Sequence, residues 1–214
     1  MSNPILQTSL PYPVRHGKVR DVYDLGDKLL IVSTDRISAF DVVMPNPIPG
    51  KGKVLTALSL FWFEMFGSKI EHHLIASDVA EFPAELQQYR DQLEGRSMLV
   101  KKAKVVPIEC IARGYLAGSG WKEYQKSRTV CGIPLPEGLR QCDKLPQHLF
   151  TPSTKAEEGH DENISPEQAG KIVGSEIAKQ LKEYTLMLYS TAADYARERG
   201  VIIADTKFEF GQMP

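Results

Sequence analysis

The sequence predicts an α+β protein of two lobes. KVRDVYDL and KLLIVS are strand-like stretches joined by Gly26-Asp27, which predicts a β-hairpin early in the chain. The longest helical stretch follows Ser165 and runs toward Glu198. Strands and hairpins that come early and a long helix that comes late are typical of the α+β class.

Caps and turn residues define the other elements. VLTALSLFWFEMF is long and apolar enough for a buried helix that stops at Gly67, and PAELQQYRDQLEG predicts an amphipathic helix with Pro83 in its first turn. The run Ser165-Pro166-Glu167-Gln168 has a capping serine, a proline at the first helical position and a glutamine three residues on. We expect this helix to break near Gly174. VIIAD, residues 201–205, predicts a buried strand.

The middle of the chain contains the predicted lobe boundary. SMLVKKAKVVPIECIARGYL predicts two strands around a basic centre, so we divide the chain into residues 1–104 and 105–214. No hydrophobic period holds over residues 128–164, which glycines and prolines interrupt. A stretch of this length without elements is usually functional or mobile.

Composition excludes several classes of protein. The 214 residues are 42% hydrophobic and carry a net charge of −1, so no global charge favours nucleic acid or an anionic membrane as a partner. The N-terminus lacks the pattern of a signal peptide, and the longest apolar run is too short to span a bilayer. Cys110, Cys131 and Cys142 show no C-x-x-C spacing. We therefore expect a reduced, cytoplasmic protein.

Two stretches in the first lobe could bind anions. His16-Gly17-Lys18-Val19-Arg20-Asp21 would let backbone N–H groups and cations approach a phosphate, but by itself the stretch favours a basic turn on the surface. STDRISAFD crowds polar groups, among them Ser38 and Asp41, around Phe40, and a capped turn is the alternative. Lys51 and Lys53 follow between glycines.

Residues 105–120, VVPIECIARGYLAGSG, carry a stronger signal. Glu109 lies within an otherwise apolar strand, where a carboxylate needs a partner or a ligand. Arg113 comes at the end of that strand, and Gly118-Ser119-Gly120 opens a predicted helix. An arginine beside a helix N-terminus is a natural phosphate pocket. The alternative is a structural Glu109–Arg113 ion pair with Ser119 as a helix cap.

Two further stretches contain carboxylates. In IADTKFEFGQMP a strand would place Asp205, Lys207 and Glu209 on one face, where a metal and a charged substrate can meet. TPSTKAEEGHDENIS, residues 151–165, is acidic around His160 and predicts a solvated loop without metal-binding spacing.

VVPIECIARGYLAGS and IADTKFEFG closely resemble two signatures of the SAICAR synthetases, the phosphoribosylaminoimidazole-succinocarboxamide synthases. The resemblance covers essentially the whole chain. It implies a two-lobed ATP-binding fold, distantly similar to protein kinases and ATP-grasp proteins. It also implies a ligase of purine biosynthesis that condenses carboxyaminoimidazole ribonucleotide with L-aspartate, using ATP and Mg²⁺.

The resemblance assigns roles to matched positions. Residues 1–104 would form the ATP-binding lobe and residues 105–214 the substrate- and metal-binding lobe. The residues expected at the nucleotide are Gly17, Lys18, Arg20, Lys101, Lys102 and Glu109. Those expected at the substrates are Ser38, Asp41, Arg113 and Ser119, with the last two at the 5′-phosphate. The expected catalytic residues are Asp205, Lys207 and Glu209, of which Asp205 and Glu209 would bind Mg²⁺. Lys51, Lys53, Asp161 and Glu162 are weaker candidates.

The family usually continues past this last strand into an acidic Asp-Glu segment and a later arginine-containing stretch, and this sequence has neither after Gly211. Two alternatives to the ligase stay open. One is a small-molecule kinase on the same scaffold, and the other is a nucleotide-binding module without turnover. The sequence indicates small-molecule partners, and it leaves the oligomeric state open.

Overall fold

A computed structural model describes residues 3–155 and 162–213. The chain divides into two compact units, of which unit 1 comprises the described residues up to Ala103 together with Met213. Unit 2 comprises Lys104–Gln212. Both units combine sheet and helix, and the predicted α+β class is confirmed. His160 and Asp161, two positions that the sequence analysis considered, lie outside the described residues.

Unit 1 is built on an antiparallel sheet of five strands in the order β1-β2-β3-β7-β6. The strands of unit 1 are β1 Val14–His16, β2 Arg20–Asp24, β3 Lys28–Ser33, β4 Ser38–Ala39, β5 Val42–Val43, β6 Leu74–Ala76 and β7 Ser97–Lys101. Strands β4 and β5 pair with each other outside the five-stranded sheet. The helices of unit 1 are α1 Lys51–Phe66, α2 Ala84–Gln87 and α3 Arg90–Leu93, with a 3₁₀ turn at Val79–Glu81. The predicted hairpin is confirmed as β2 and β3, with Gly26 at φ 93° in the turn.

The apolar core of unit 1 lies against this sheet. It contains Tyr23, Leu30, Val32, Val79, Phe82, Leu86, Leu93 and Leu99. The segment PAELQQYRDQLEG forms the two short helices α2 and α3, so the prediction of one amphipathic helix is wrong. Tyr89, at φ −99° and ψ 23°, leaves the helical region between them. Leu86 and Leu93 are both buried in the core, which fixes the two turns separately.

Helix α1 ends at Gly67 as predicted, but it is only partly buried. Its buried residues are Gly52, Thr56 and Phe66, whereas Val54 is exposed. A side chain at Gly52 would place its Cβ 2.1 Å from the Ser33 carbonyl oxygen. The glycine therefore lets the start of α1 approach the end of β3 closely.

Unit 2 is organised around its longest strand, which pairs with strands on both sides. Its strands are β8 Lys104–Val105, β9 Ile108–Tyr115, β10 Thr129–Val130, β11 Ile133–Pro134, β12 Lys144–Phe150, β13 Ser153–Thr154, β14 Asp205–Phe208 and β15 Gly211–Gln212. Its helices are α4 Gly118–Ser127, α5 Pro166–Val173 and α6 Ser175–Arg197. Strands β12, β13 and β14 all run antiparallel to β9. Helix α6 packs against β9 and β12.

The capping prediction for α5 is confirmed in detail. Ser165 Oγ accepts from the Gln168 N–H, the Gln168 side chain accepts from the Ser165 N–H, and Pro166 is the first helical residue. The break at Gly174, which has φ 90°, is also confirmed. The described parts of residues 128–164, namely 128–155 and 162–164, contain four strands, however, because short pairings with β9 and within a small hairpin need no long hydrophobic period.

Two predictions for unit 2 are wrong. Residues 201–204 form no strand, and Val201 and Ile202 are exposed, so VIIAD is not a buried strand. Its backbone is satisfied instead by the Tyr189 hydroxyl, which donates to the Ile203 carbonyl at 2.6 Å, and by the Gly114 N–H, which donates to the Ala204 carbonyl at 3.0 Å. The start of the predicted solvated loop is also buried, with Thr151 fully inaccessible.

Candidate functional site

The strongest cluster of candidate residues lies on β9 of unit 2. Arg113 is only 4% exposed, and its register partner across the ladder is Asp205 on β14. The Arg113 guanidinium donates from Nε to Thr151 Oγ1 at 3.0 Å and from Nη2 to Ser119 Oγ at 2.8 Å. Its Nη1 lies 3.7 Å from Asp205 Oδ2. Three predicted site residues, Arg113, Ser119 and Asp205, are therefore brought together.

The N-terminus of α4 lies at the same place. Ala117 precedes the helix and offers no side-chain cap, and within the described chain the first N–H groups of the helix have no acceptor. A Cβ at Gly120 would lie 3.3 Å from Arg113 Cδ, so glycine lets the guanidinium stay against the first turn. Free helix N–H groups beside a buried guanidinium form an anion site. Ser119 accepts from Arg113 and does not cap the helix, so that alternative is wrong.

Glu109, four residues earlier on β9, faces a different cation. Its Oε1 accepts from Lys207 Nζ at 2.8 Å, and its Oε2 lies 3.4 Å from Ser153 Oγ. The proposed alternative of a Glu109–Arg113 ion pair is not found among the described residues, because each side chain has its own partners across the sheet. Glu109 is 5% exposed, so Lys207 supplies the positive charge that such a buried carboxylate requires.

Glu209 is separate from this cluster. The residue follows the end of β14, and its carboxylate lies 3.2 Å from Lys155 Nζ. Asp205 and Lys207 share a face of the strand, as predicted, and both are exposed. Among the described residues, no three His, Cys, Asp or Glu side chains are grouped so that they could hold a metal ion.

Sequence reasoning missed two residues that build this cluster. Thr151 accepts from Arg113 and is fully buried. The signal for it was the apolar pair Leu149-Phe150 just before it, which marks a strand end. Tyr189 donates to the chain that leads into Asp205. Burial, with smaller contributions from Tyr115 and Asp205, raises the pKa of Tyr189 to about 12, so its hydroxyl stays protonated as a donor. A Cβ at Gly114 would lie 2.1 Å from this hydroxyl.

Unit 1 carries the glycine-containing turn between β1 and β2. Lys18 Nζ pairs with Asp41, so the structure joins two predicted site residues that are 23 positions apart. Phe40 and Asp41 have φ 49° and 65° and form the turn between β4 and β5. Ser38 is half-buried in β4, and Arg20 is exposed at the start of β2.

The remaining cationic candidates of unit 1 lie apart from the turn or lack hydrogen bonds. Lys101 Nζ pairs with Glu71 at 3.1 Å, and Lys102 Nζ with Asp24 at 2.7 Å. The Lys51 nitrogen is buried and has no hydrogen-bond partner in the described chain. Burial lowers the pKa of Lys51; the charge of Asp35 opposes this, and those of Arg20 and Arg36 add to it.

Unit 1 therefore presents a basic, glycine-containing turn, and unit 2 presents a buried arginine beside the start of a helix. This combination is typical of enzymes that act on phosphorylated small molecules.

A family model described as SAICAR synthetase matches residues 13–214. A phosphoribosylaminoimidazole-succinocarboxamide synthase from Desulfatibacillum aliphaticivorans is 58% identical over 99% of this chain and 72% of its own length. One from Maridesulfovibrio salexigens is 59% identical over 99% of this chain and 72% of its own length. A SAICAR synthase structure from Saccharomyces cerevisiae, complexed with SAICAR, has 48% identity and a TM-score of 0.89 over 97% of this chain and 71% of its own. The chain belongs to the SAICAR synthetase family.

A more distant structure supports the fold alone. A SAICAR synthetase in complex with ADP is 24% identical and has a TM-score of 0.73 over 94% of this chain and 76% of its own. Across the described residues, no helix has the length and apolar character needed to cross a membrane.

Proposed function

We propose that this chain condenses carboxyaminoimidazole ribonucleotide with L-aspartate, at the expense of ATP, to give SAICAR, ADP and phosphate in purine biosynthesis. The match to the SAICAR synthetase family over residues 13–214 carries this proposal. The family match and the names of the relatives give the small-molecule kinase no support.

The chemistry sets the requirements for the site. A carboxylate is a poor electrophile, so an oxygen of the ribonucleotide carboxylate first attacks the γ-phosphorus of ATP, and ADP leaves. The aspartate amine then attacks the resulting acyl phosphate, loses a proton and expels phosphate. Such catalysis depends on positioning and on neutralising negative charge, and it needs no dedicated nucleophile in the protein.

In unit 2, we assign Arg113, Ser119 and the start of α4 to the 5′-phosphate of the ribonucleotide. The guanidinium is preorganised by Thr151 and is nearly inaccessible, so it is already desolvated before ligand arrives. Donors fixed in this way cost little to reorganise on binding. Lys207, on the neighbouring strand, is assigned to the negative charge of substrate or phosphate, with Glu109 holding its ammonium.

In unit 1, we assign the turn at Gly17, Lys18 and Arg20 to the phosphates of ATP, and Ser38 and Asp41 to the substrates. Lys101 and Lys102 belong to the segment assigned to the nucleotide base. Their present partners, Glu71 and Asp24, are exposed, so these surface ion pairs are cheap to exchange for a ligand.

We assign Mg²⁺ to Asp205 and Glu209. Mg²⁺ in phosphoryl-transfer sites commonly uses one or two carboxylates and completes its shell with substrate phosphate oxygens and water. Both carboxylates are exposed and offer oxygen ligands, and they lie beside different cations, Arg113 and Lys155. When bound, the ion would neutralise negative charge on the phosphates. Asp205 and Glu209 would supply oxygen ligands to the ion. When the ion is absent, Arg113 and Lys155 compensate the charges of these two carboxylates.

The test is an omission assay on the purified chain. Carboxyaminoimidazole ribonucleotide, aspartate, ATP and Mg²⁺ are supplied together and then with one left out, while ADP and the succinocarboxamide product are followed. We expect product only when all four are present. ADP release that does not depend on aspartate would favour a kinase, and ATP binding without product would indicate a nucleotide-binding module.

A further inference from the structure

One side chain of unit 1, Arg36, accounts for the shape of the turn between β1 and β2. Its Nη2 donates to the Gly17 carbonyl at 2.8 Å and to the Arg20 carbonyl at 3.2 Å, and its Nε donates to the Lys18 carbonyl at 3.2 Å. Nη1 donates to the Leu6 carbonyl, which ties the N-terminal segment to the same point. A single guanidinium thus holds three carbonyls of a four-residue turn.

The fourth carbonyl of the turn, that of Val19, is held by Thr34, which lies two residues before Arg36 in the sequence. Val19 O accepts from the Thr34 N–H at 3.0 Å and from Thr34 Oγ1 at 2.9 Å. All four carbonyl groups from Gly17 to Arg20 are therefore occupied by Arg36 and Thr34. The acceptor side of the turn faces the protein.

The orientation of the carbonyls determines that of the N–H groups. In a trans peptide the C=O and the following N–H point in opposite directions, and no described peptide bond is cis. The Lys18 and Val19 N–H groups therefore point away from Arg36. Neither donates to any other group in the described chain. Adjacent free N–H groups of this kind make a concave anion site.

Arg36 is itself held in place by the buried Asp21 carboxylate, so it determines the shape of the turn rather than its charge. Its Nη2 lies 2.9 Å from Asp21 Oδ1, its side chain is 12% exposed, and that of Asp21 is fully buried. Asp21 also accepts from Thr8 N at 2.8 Å and from Thr8 Oγ1 at 2.9 Å, and its Oδ1 lies 2.9 Å from His16 Nδ1. The carboxylate neutralises the guanidinium, so little net charge is left to attract an anion.

We propose that Arg36 is a positioning residue that turns the carbonyls of Gly17–Arg20 inward and so presents the Lys18 and Val19 N–H groups to the phosphates of the nucleotide. This inference rests on the proposed assignment of the turn to ATP. Lysine cannot replace arginine here, because an ammonium is a point donor and cannot reach several carbonyls and Asp21 at once.

The test compares Arg36→Lys with Arg96→Lys in the full chain. Arg96 is a matched control: it is 3% exposed, it pairs with Asp35 at 3.0 Å, and in the described chain its side chain donates to Ser33 O and Asp35 rather than to the turn. Binding of ADP and of carboxyaminoimidazole ribonucleotide is measured by calorimetry, and stability by thermal unfolding. We expect Arg36→Lys to weaken ADP binding about tenfold, because one or two charge-assisted hydrogen bonds are lost. The affinity for the ribonucleotide should not change. Arg96→Lys should lower stability without this selectivity.

One further variant and one spectroscopic measurement keep the result decisive. Thr34→Val leaves the Asp21 network intact and removes one donor to Val19 O, so it should weaken ADP about two- to threefold even if Arg36→Lys folds poorly. In ¹⁵N spectra, the Lys18 and Val19 amide signals should move on addition of ADP to the wild type and move much less in Arg36→Lys.

Three outcomes are distinguishable. Selective loss of ADP affinity in Arg36→Lys and Thr34→Val supports the proposal. Unchanged ADP affinity in both variants, with a loss in Lys18→Ala, overturns it and leaves the proposed function standing. Unchanged affinity in all three variants shows that the turn does not bind the nucleotide, which overturns both this inference and the assignment on which it rests.

Discussion

The two units bury charge for different purposes. In unit 1 the buried ionic groups, such as Asp35 with Arg96, support the scaffold, while the candidate site residues Lys18 and Asp41 are exposed. In unit 2 the buried charged residues, Glu109 and Arg113, are the candidate site residues themselves. The comparison teaches that burial of a charged group does not by itself mark a functional site; its partners do.

The partners explain the difference. Asp35 accepts from Arg96, from the Gly52 N–H and from the Ile5 N–H, so its oxygens are used within the protein. Arg113 has fixed donors beside a helix start whose N–H groups have no acceptor in the described chain. Substitution of Asp35 or Arg96 should therefore lower the stability of unit 1, whereas substitution of Arg113 should lower ligand binding in unit 2.

The largest effect is expected for Asp35→Ala in unit 1. Removing one partner of a buried ion pair leaves Arg96 uncompensated and should lower the free energy of unfolding by about 3–5 kcal/mol. Chemical denaturation of the variant measures this directly. A loss below about 1 kcal/mol would contradict the scaffold role.

Acid should weaken the same interaction. Burial alone would raise the pKa of Asp35, but hydrogen bonds from Arg96 and from the Gly52 and Ile5 amides outweigh it and lower the pKa. The carboxylate therefore stabilises the fold above the unfolded-state value of about 3.9, and this contribution disappears as the pH falls through the lower folded-state pKa. Denaturation curves of Asp35→Asn should show a weaker dependence on pH in that range.

In unit 2, Asp205→Asn should abolish turnover while leaving the fold intact. The change removes a negative charge that we assign to the metal, and losing one such electrostatic group typically lowers kcat by about 10²–10³-fold. Steady-state ADP release and thermal unfolding are measured together. Asp194→Asn is the matched control, because this aspartate is exposed and its one ion pair in the described chain is with Arg197 on the surface. Turnover close to that of the wild type in Asp205→Asn would eliminate the metal assignment.

Arg113→Ala should weaken the binding of the ribonucleotide by about 2–3 kcal/mol, the value of a charge-assisted contact with phosphate. The binding of ADP should be weakened much less. Calorimetric titration with each ligand separates the two effects. Arg140→Ala serves as the control, since Arg140 is exposed and pairs with Asp143. Equal losses for the two ligands would count against the phosphate role and would weaken the contrast between the units.

The smallest effect is expected for Tyr189→Phe, which tests whether unit 2 also has purely structural polar contacts. Loss of the hydroxyl that donates to Ile203 O should lower the free energy of unfolding by about 1 kcal/mol. Tyr184→Phe is the control, because among the described residues the Tyr184 hydroxyl has a single hydrogen bond, at 3.4 Å from the exposed Gln180 side chain. A large drop in turnover at constant stability would instead place Tyr189 among the residues that position Asp205.

Local signals in the sequence were enough for several elements. The β2–β3 hairpin, the capping box at Ser165 and the break at Gly174 all depend on neighbouring residues, so the sequence predicts them correctly. The same holds for the strand that carries Glu109 and Arg113 and for the helix that opens at Gly118. Family motifs, which are also local in sequence, indicated the class of reaction.

Long-range pairing decided the rest. Thr151 meets Arg113 only because β12 and β13 align with β9, and Lys207 meets Glu109 across 98 positions of sequence. VIIAD has the composition of a buried strand, but Tyr189 and β9 satisfy its backbone without a regular strand there. The sequence by itself determined which residue types were available for the chemistry. The tertiary structure decided their partners, because strand register and helix packing bring together side chains that no local pattern connects.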